Sequence, residues 1–329
     1  MNYQQLPKIE LHLHLDCSLS YEAVHAIDPS VTRERYDTDF IAPAHCEDLV
    51  EYIKRSSTGY LLMQTPAQLR LVTLDVLKQL DADGVVYAEL RFAPLLHTQK
   101  GLSPSQVVIA IQKALQEGST LYKVIPRLIL CTLRHYTEEE SMQTVQLIEQ
   151  FRNEGWVVGF DIAGDEAGYP VTAHQKAFDY AHQQGIPCTA HAGEACGAAS
   201  VWEVLKHFRP TRIGHGVRSK EDPQLLAHLR SHPIHLEVCP SSNLRTNMYP
   251  SYKAHVVDEL YKEGISVSVN TDARTVTPIT LSEEYALIAS NFGWTLADFL
   301  ACNLQAVNYS FADETLKEQL RTQLVQAYS

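Results

Sequence analysis

Eight apolar, strand-like runs alternating with helical patterns predict a (β/α)8 TIM barrel for this chain of 329 residues, with extra helices at the first crossover and at the carboxyl terminus. Three observations carry the expectation. The alternation repeats from end to end, as parallel βαβ units do. The runs Val85-Val-Tyr-Ala-Glu-Leu90 and Val157-Val-Gly-Phe-Asp-Ile-Ala163 are nearly continuously apolar, the pattern of strands covered on both faces. No G-x-G-x-x-G or P-loop follows any strand, and the strand count favours a closed ring over an open, doubly wound sheet. Barrels of this kind reach this length as one domain, and residues 1–329 are read as one.

In chain order, the first strand is Ile9-Glu-Leu11-His12-Leu13-His14-Leu15-Asp16. Alternate side chains of a strand share a face, so His12 and His14 project together and the leucines oppositely. A short helix at 20–27 precedes an irregular stretch, 28–43, punctuated by proline and charge; with 48–60 it lies where a loop-rich lid over a barrel mouth is expected. A long amphipathic helix follows at 66–82, with Leu69, Leu71, Leu74, Leu77 and Leu80 on its apolar face. Further strands are expected at 85–94, 124–132, 157–163, 187–191, 212–215, 234–239 and 265–270. The helices between them centre on 104–118, 137–154, 171–184, 200–208, 224–230 and 252–263. Residues 295–329 read as two or three capping helices.

Composition narrows the function classes. With 27 Lys and Arg against 39 Asp and Glu, the net charge of -12 opposes association with nucleic acid or an anionic membrane and suits a small neutral or cationic ligand. The seven cysteines form no C-x-x-C pair and mostly sit in apolar runs, as buried free thiols do. The amino terminus lacks the basic and apolar regions of a secretory signal, and no apolar run reaches the ~18 residues of a membrane span, so a cytoplasmic protein is expected. The sequence leaves the oligomeric state open.

Barrel active sites lie at the carboxyl ends of the strands, so the residues found there are the candidates. The first strand offers His12, His14 and Asp16. Later strands end in Asp161-Ile-Ala-Gly164-Asp165-Glu166, His191-Ala-Gly-Glu194, Gly214-His215-Gly216, Cys239-Pro-Ser-Ser-Asn243 and Asn270-Thr-Asp272-Ala273. Each alone has an ordinary explanation, such as a turn at Gly214-His215-Gly216 or a helix cap at Asp272. Together, four histidines and a carboxylate converge on one mouth. Three His and one Asp suit zinc with a position left for water, and zinc makes hydroxide available near neutral pH. Glu194 is placed to shuttle protons; His215 is a further ligand or orients the hydroxide. The fourth strand offers no Lys for a two-metal bridge, so a single metal is expected.

These motifs, in order and spacing from about residue 6 to residue 325, resemble the adenosine/AMP deaminase family of the metal-dependent amidohydrolase superfamily. The resemblance implies one Zn2+ per chain on His12, His14, His191 and Asp272, with Glu194, His215 and Asp272 catalytic. It further implies that Glu194 protonates purine N1, that His215 positions the hydroxide attacking C6, and that ammonia leaves to give inosine. His14, Asp16, Gly164 and Tyr52 would meet the substrate, Gly164 through its N–H at N3, Asp16 near the ribose 5′ hydroxyl and Tyr52 from the lid. The implied partner is a small purine nucleoside. The H-x-E and P-C-x-x-C pattern of the cytidine-deaminase zinc site is missing.

Two positions depart from the family. The metal-binding Asp is typically followed by a second Asp that contacts purine N7; here Ala273 and Arg274 follow Asp272. Cys17 stands where Gly usually follows Asp16. A lost charged hydrogen bond weakens base recognition by ~1.5–3 kcal/mol unless Arg274 or a water replaces it. The alternative substrates are therefore other 6-aminopurine compounds: adenine, an N6-substituted adenine nucleotide or aminodeoxyfutalosine. For a nucleotide, Arg274, Arg245 and Arg218 are the candidate phosphate-binding cations.

Overall fold

The computed structural model describes residues 2–329. Eight parallel strands, β1 Lys8–His14, β2 Val85–Phe92, β3 Ile125–Leu133, β4 Val157–Ala163, β5 Thr189–Ala192, β6 Arg212–His215, β7 His235–Val238 and β8 Val267–Val269, are ordered β1-β2-β3-β4 and β5-β6-β7-β8. Single bridges, Phe160 to Cys188 and Leu13 to Asp272, join the two halves and close the ring into a (β/α)8 barrel. Strand ends fall within one or two residues of the sequence reading, and β4 and β6 coincide with it.

Fourteen α-helices are distributed around the ring among the described residues. They are α1 Tyr21–Ile27, α2 Arg33–Asp39, α3 Leu49–Leu61, α4 Pro66–Ala82, α5 Pro104–Leu121, α6 Glu138–Phe151, α7 Gln175–Gln183, α8 Ala198–Phe208, α9 Pro223–Ser231, α10 Pro240–Arg245, α11 Val257–Lys262, α12 Leu281–Phe292, α13 Leu296–Tyr309 and α14 Glu314–Tyr328. The expected loop-rich lid is in fact helical, as α2 and α3. Thr32 and Asp48 begin these helices by accepting main-chain N–H bonds from Arg35 and Glu51. The second half of α3 contains Ser56-Ser-Thr-Gly59, weak helix formers, yet Leu49 and Tyr52 bury against Ala42, Cys46, Ala273 and Val276 and hold it over the mouth. Gly59 permits the close contact: a Cβ there would lie 2.6 Å from the carbonyl oxygen of Asp16, in the turn after β1. α12 has no counterpart in the sequence reading; α13 and α14 are the expected caps.

The barrel interior beneath the mouth is charged. Glu89, Arg91, Asp161, Arg212 and Glu237 are all 0 % exposed, where apolar layers would ordinarily fill the space. On the rim, Glu284 of α12 accepts from the main-chain N of Ser241 at 2.9 Å and from the Tyr252 hydroxyl at 2.6 Å, fixing α10 and the two residues it brings to the site, Ser242 and Asn243. All seven cysteines are free thiols. No helix among the described residues is long and apolar enough to cross a membrane.

Candidate active site

His12, His14, His191 and Asp272 bring one ligand atom each within 4.8 Å of one another. His12 Nδ1 lies 2.8 Å from Glu237 Oε2, and His191 Nδ1 lies 3.2 Å from Asp161 Oδ1. An ionised carboxylate only accepts, so both rings donate Nδ1–H and turn an Nε2 lone pair toward the centre. His12 Nε2 is buried with no hydrogen-bond partner. His14 Nε2 stands 3.1 Å from His191 Nε2, while Asp272 Oδ1 lies 3.3 Å from His12 Nε2 and 3.4 Å from His14 Nε2. Burial pushes His14 down to about 3, keeping it neutral. Two inward lone pairs, a third neutral imidazole and a carboxylate around one point fit a zinc-type cation. His12, His215 and Cys239 form a second cluster. There the thiol donates to the Glu237 carbonyl and burial pushes its pKa well up, which disfavours the thiolate that a metal requires.

The strand ends hold these groups at a conformational cost. Asp272 (φ +66°) and His215 (φ +61°) are non-glycine residues in the left-handed region, at roughly 1–3 kcal/mol each. Asp272 is secured by its N–H to the His12 carbonyl (3.0 Å), by the His14 N–H to its own carbonyl (2.7 Å), and by the Ser242 hydroxyl to Oδ2 (2.6 Å). Beneath the centre, Arg91 donates to Asp161 Oδ2 at 2.8 Å, to Glu237 Oε2 at 2.6 Å and to the Leu11 carbonyl at 2.7 Å. Burial alone would raise both carboxylates. His191 and Arg91 hold Asp161 low, and Arg91 with Arg212 holds Glu237 well below the usual range.

Glu194 faces the same cavity with its carboxyl covered. Burial pushes its pKa well above the usual range, and the negative charges of Asp272 and Glu166 add to that, both favouring the protonated acid. Its position comes from Glu166, whose carboxylate accepts the main-chain N–H of Gly193, Glu194, Ala195 and Cys196 at 2.6–3.0 Å and the Ser200 hydroxyl at 2.6 Å. His215 Nε2 lies 3.5 Å from Glu194 Oε2.

One cavity of about 340 Å³ borders His14, Asp16, Tyr52, Gly164, Glu194 and Asp272, together with His191 and His215. Sites for small molecules start at about 300 Å³. Every substrate-contact residue expected from the sequence therefore lines one space, with His12 in the layer beneath. Asp16 Oδ2 accepts from the Ala93 N–H at 3.3 Å and faces His97 Nε2 at 3.5 Å; the Tyr52 hydroxyl pairs with that of Thr277 at 2.9 Å and its ring joins the wall. Ala273, Val276, Leu49 and Tyr52 make that wall apolar beside Asp272.

The expected phosphate-binding arginines do not reach the cavity. Arg274 runs the other way, to Asp83 Oδ2 at 2.9 Å and Glu10 Oε2 at 3.3 Å, because β8 ends at Val269 and the left-handed turn at Asp272 breaks the strand alternation. Arg245 is spent on the Ala42 and Pro43 carbonyls, and Arg218 on Glu221. Among the described residues lining the cavity, Lys54 is the only lysine or arginine, and it is exposed. Sequence reasoning also passed over the roles of Arg91, Glu166, Glu237 and Asn243. For Arg91 and Glu237 the signal was present, as charges embedded in runs that are apolar on both faces.

A family model described as adenosine deaminase matches residues 7–327. An adenosine deaminase of Clostridium acetobutylicum is 34% identical over 326 residues, covering 97% of each chain. The crystal structure of Arabidopsis ADAL complexed with IMP superposes with a TM-score of 0.88 at 27% identity, over 99% of this chain and 98% of that one. The Arthrobacter aurescens adenine deaminase shares the fold, with a TM-score of 0.88 at 23% identity over 98% of both chains.

Proposed function

The chain belongs to the adenosine deaminase family and is an aminohydrolase acting on C–N bonds; from that premise we propose that it hydrolyses adenosine and 2′-deoxyadenosine to inosine and 2′-deoxyinosine, releasing ammonia, with one zinc ion per chain. The observation that carries this reading is a buried Glu194 carboxyl facing one cavity with His14, His191 and Asp272. His12, His14, His191 and Asp272 would hold the ion. When bound, it supplies an acidified water as the nucleophile.

The remaining chemistry belongs to the chain's own residues. Glu194 gives its proton to purine N1, drawing electron density from C6 so that an oxygen nucleophile adds there. His215 borders the cavity next to Glu194 and hydrogen-bonds that oxygen. The Glu194 carboxylate left behind takes one hydrogen from the attacking oxygen and is restored, the oxygen's other hydrogen passes to the amino nitrogen, and the C6–N bond breaks to release ammonia and leave a C6 carbonyl with hydrogen on N1. With C6 over the metal ligands and N1 at Glu194 after β5, the N3 edge turns to Gly164 after β4. The opposite edge, C5 and N7, turns to Ala273 after β8. Asp16 takes the ribose 5′ hydroxyl.

The runner-up substrates are adenine, an N6-substituted adenine nucleotide and aminodeoxyfutalosine. One exposed Lys54 against Asp16 and Asp165 on the cavity lining supports a neutral nucleoside over a doubly charged monophosphate. The free thiols support a reducing, cytoplasmic setting.

Ammonia release from adenosine, adenine and adenosine monophosphate by zinc-loaded protein tests the choice. Adenosine is expected to give the highest kcat/KM, and preference for either of the others overturns it. The same assay reads the apolar wall. Ala273→Asn, which places an amide donor beside N7, is expected to raise kcat/KM for adenosine by about fivefold to tenfold and leave 7-deazaadenosine unchanged, the worth of one added hydrogen bond. An equal change for both substrates would mean that N7 does not face Ala273.

A further inference from the structure

His215 has its Nδ1 3.1 Å from Asn243 Nδ2, Asn243 has its Oδ1 3.2 Å from His255 Nε2, and His255 Nδ1 lies 3.1 Å from the main-chain N of Val257. All three side chains are buried. Asn243 rides on α10, and His255 occupies the turn before α11.

The far end of this chain is chemically unambiguous. A main-chain N–H only donates, so His255 Nδ1 is an acceptor and its ring hydrogen sits on Nε2. That hydrogen needs an acceptor, which fixes Oδ1 as the Asn243 atom facing it. The Asn243 amide nitrogen is thereby turned to His215 and donates to Nδ1. His215 then keeps its one hydrogen on Nε2. Rotating the Asn243 amide by half a turn would set N–H against N–H at His255 and leave a buried donor unpaired, at about 1–3 kcal/mol.

We infer that Val257, His255 and Asn243 form a tautomer lock that holds His215 neutral with its hydrogen on Nε2, so that His215 acts at the active site only as a hydrogen-bond donor. Two consequences follow. The Nε2 atom has no lone pair for the cation, which separates His215 from the ligand set although it stands beside it. Nor can Nε2 accept the proton of Glu194, 3.5 Å away, so that proton is reserved for the substrate. A ring whose Nδ1 accepts an amide N–H has no room for a second hydrogen, so the same contact keeps His215 uncharged, and burial, which pushes His255 to about 3, keeps that ring neutral too. Asn243 and His255 are thus positioning residues, acting on the reaction through His215.

The lock itself is read without any turnover, so it stands or falls separately from the deaminase reading on which its catalytic meaning rests. Two-bond 1H–15N spectra of zinc-loaded, full-length protein labelled at histidine nitrogen are expected to show Nε2–H with unprotonated Nδ1 for both His215 and His255. An Nδ1–H or doubly protonated pattern at His215 overturns the inference. Asn243→Asp replaces the donor by an acceptor and should move the His215 hydrogen to Nδ1. Its kcat is expected to fall by about 10–100-fold, the usual range for a residue supporting a metal-site group, with KM within about threefold and zinc content unchanged. If that chain does not fold, His255→Gln and His255→Leu decide. Gln can still donate to Asn243 Oδ1 and should retain the His215 pattern and most of kcat, whereas Leu should lose both. Equal behaviour of the two variants, at either level, overturns the lock.

Discussion

Glu194→Gln is expected to bind zinc and adenosine as the parent does and to lose about 10²–10⁴-fold in kcat, the range general acid–base groups supply. The substitution keeps shape and removes only the transferable proton. An amide can still donate a hydrogen bond to N1, but it cannot hand over a proton, so C6 stays a poor electrophile. The fold has no reason to suffer. Glu166 holds the turn through four main-chain N–H groups, none of which involves the Glu194 side chain. The carboxyl itself is buried beside Asp272 and Glu166, charges that oppose its ionisation, so a neutral Gln costs nothing there. The split between constants is the readout. A transition-state role lowers kcat and kcat/KM together and leaves KM alone, while a binding role raises KM. Zinc content, adenosine affinity and kcat should be measured on one preparation; turnover within about threefold of the parent removes Glu194 from the mechanism proposed.

How much of this was legible beforehand follows from which forces act locally. Strand alternation put His12 and His14 on one face, and the carboxyl-end rule collected His191, His215 and Asp272, because both rules depend only on near neighbours in the chain. The lid was misread for the opposite reason. Ser56, Ser57, Thr58 and Gly59 have low helix propensity, and what makes α3 a helix is the burial of Leu49 and Tyr52 against Ala273 and Val276, more than two hundred residues away. Arg274 was assigned to the mouth by adjacency to Asp272. A left-handed φ at Asp272 sent it to Asp83 and Glu10 instead, and a single dihedral of that kind leaves no periodic trace in a sequence. The tautomer lock is harder still to foresee, since Asn243 and His255 matter only through the direction of their hydrogen bonds.

The largest stability effect is expected at Arg91, which touches no substrate. Arg91→Met leaves Asp161 and Glu237 buried with their shared cation gone, and breaking such a buried pair costs about 3–5 kcal/mol. The damage should extend upward. Asp161 and Glu237 are the acceptors that turn the Nε2 atoms of His191 and His12 inward, and a carboxylate that loses its cation gains from taking up a proton. A protonated acceptor no longer fixes the imidazole, so zinc affinity should fall by about 10–100-fold. Urea unfolding and zinc titration on the same chain separate the two effects, and a loss of under about 1 kcal/mol would mean that Arg212 alone balances the interior charge. Adding Asp161→Asn and Glu237→Gln to Arg91→Met removes the uncompensated charge, so stability should recover by at least half. Zinc affinity should not recover with it, because an amide is a weaker acceptor for imidazole N–H than a carboxylate. Recovery of both together would show that the buried charges serve the fold alone, and that the inward orientation of His12 and His191 comes from packing instead.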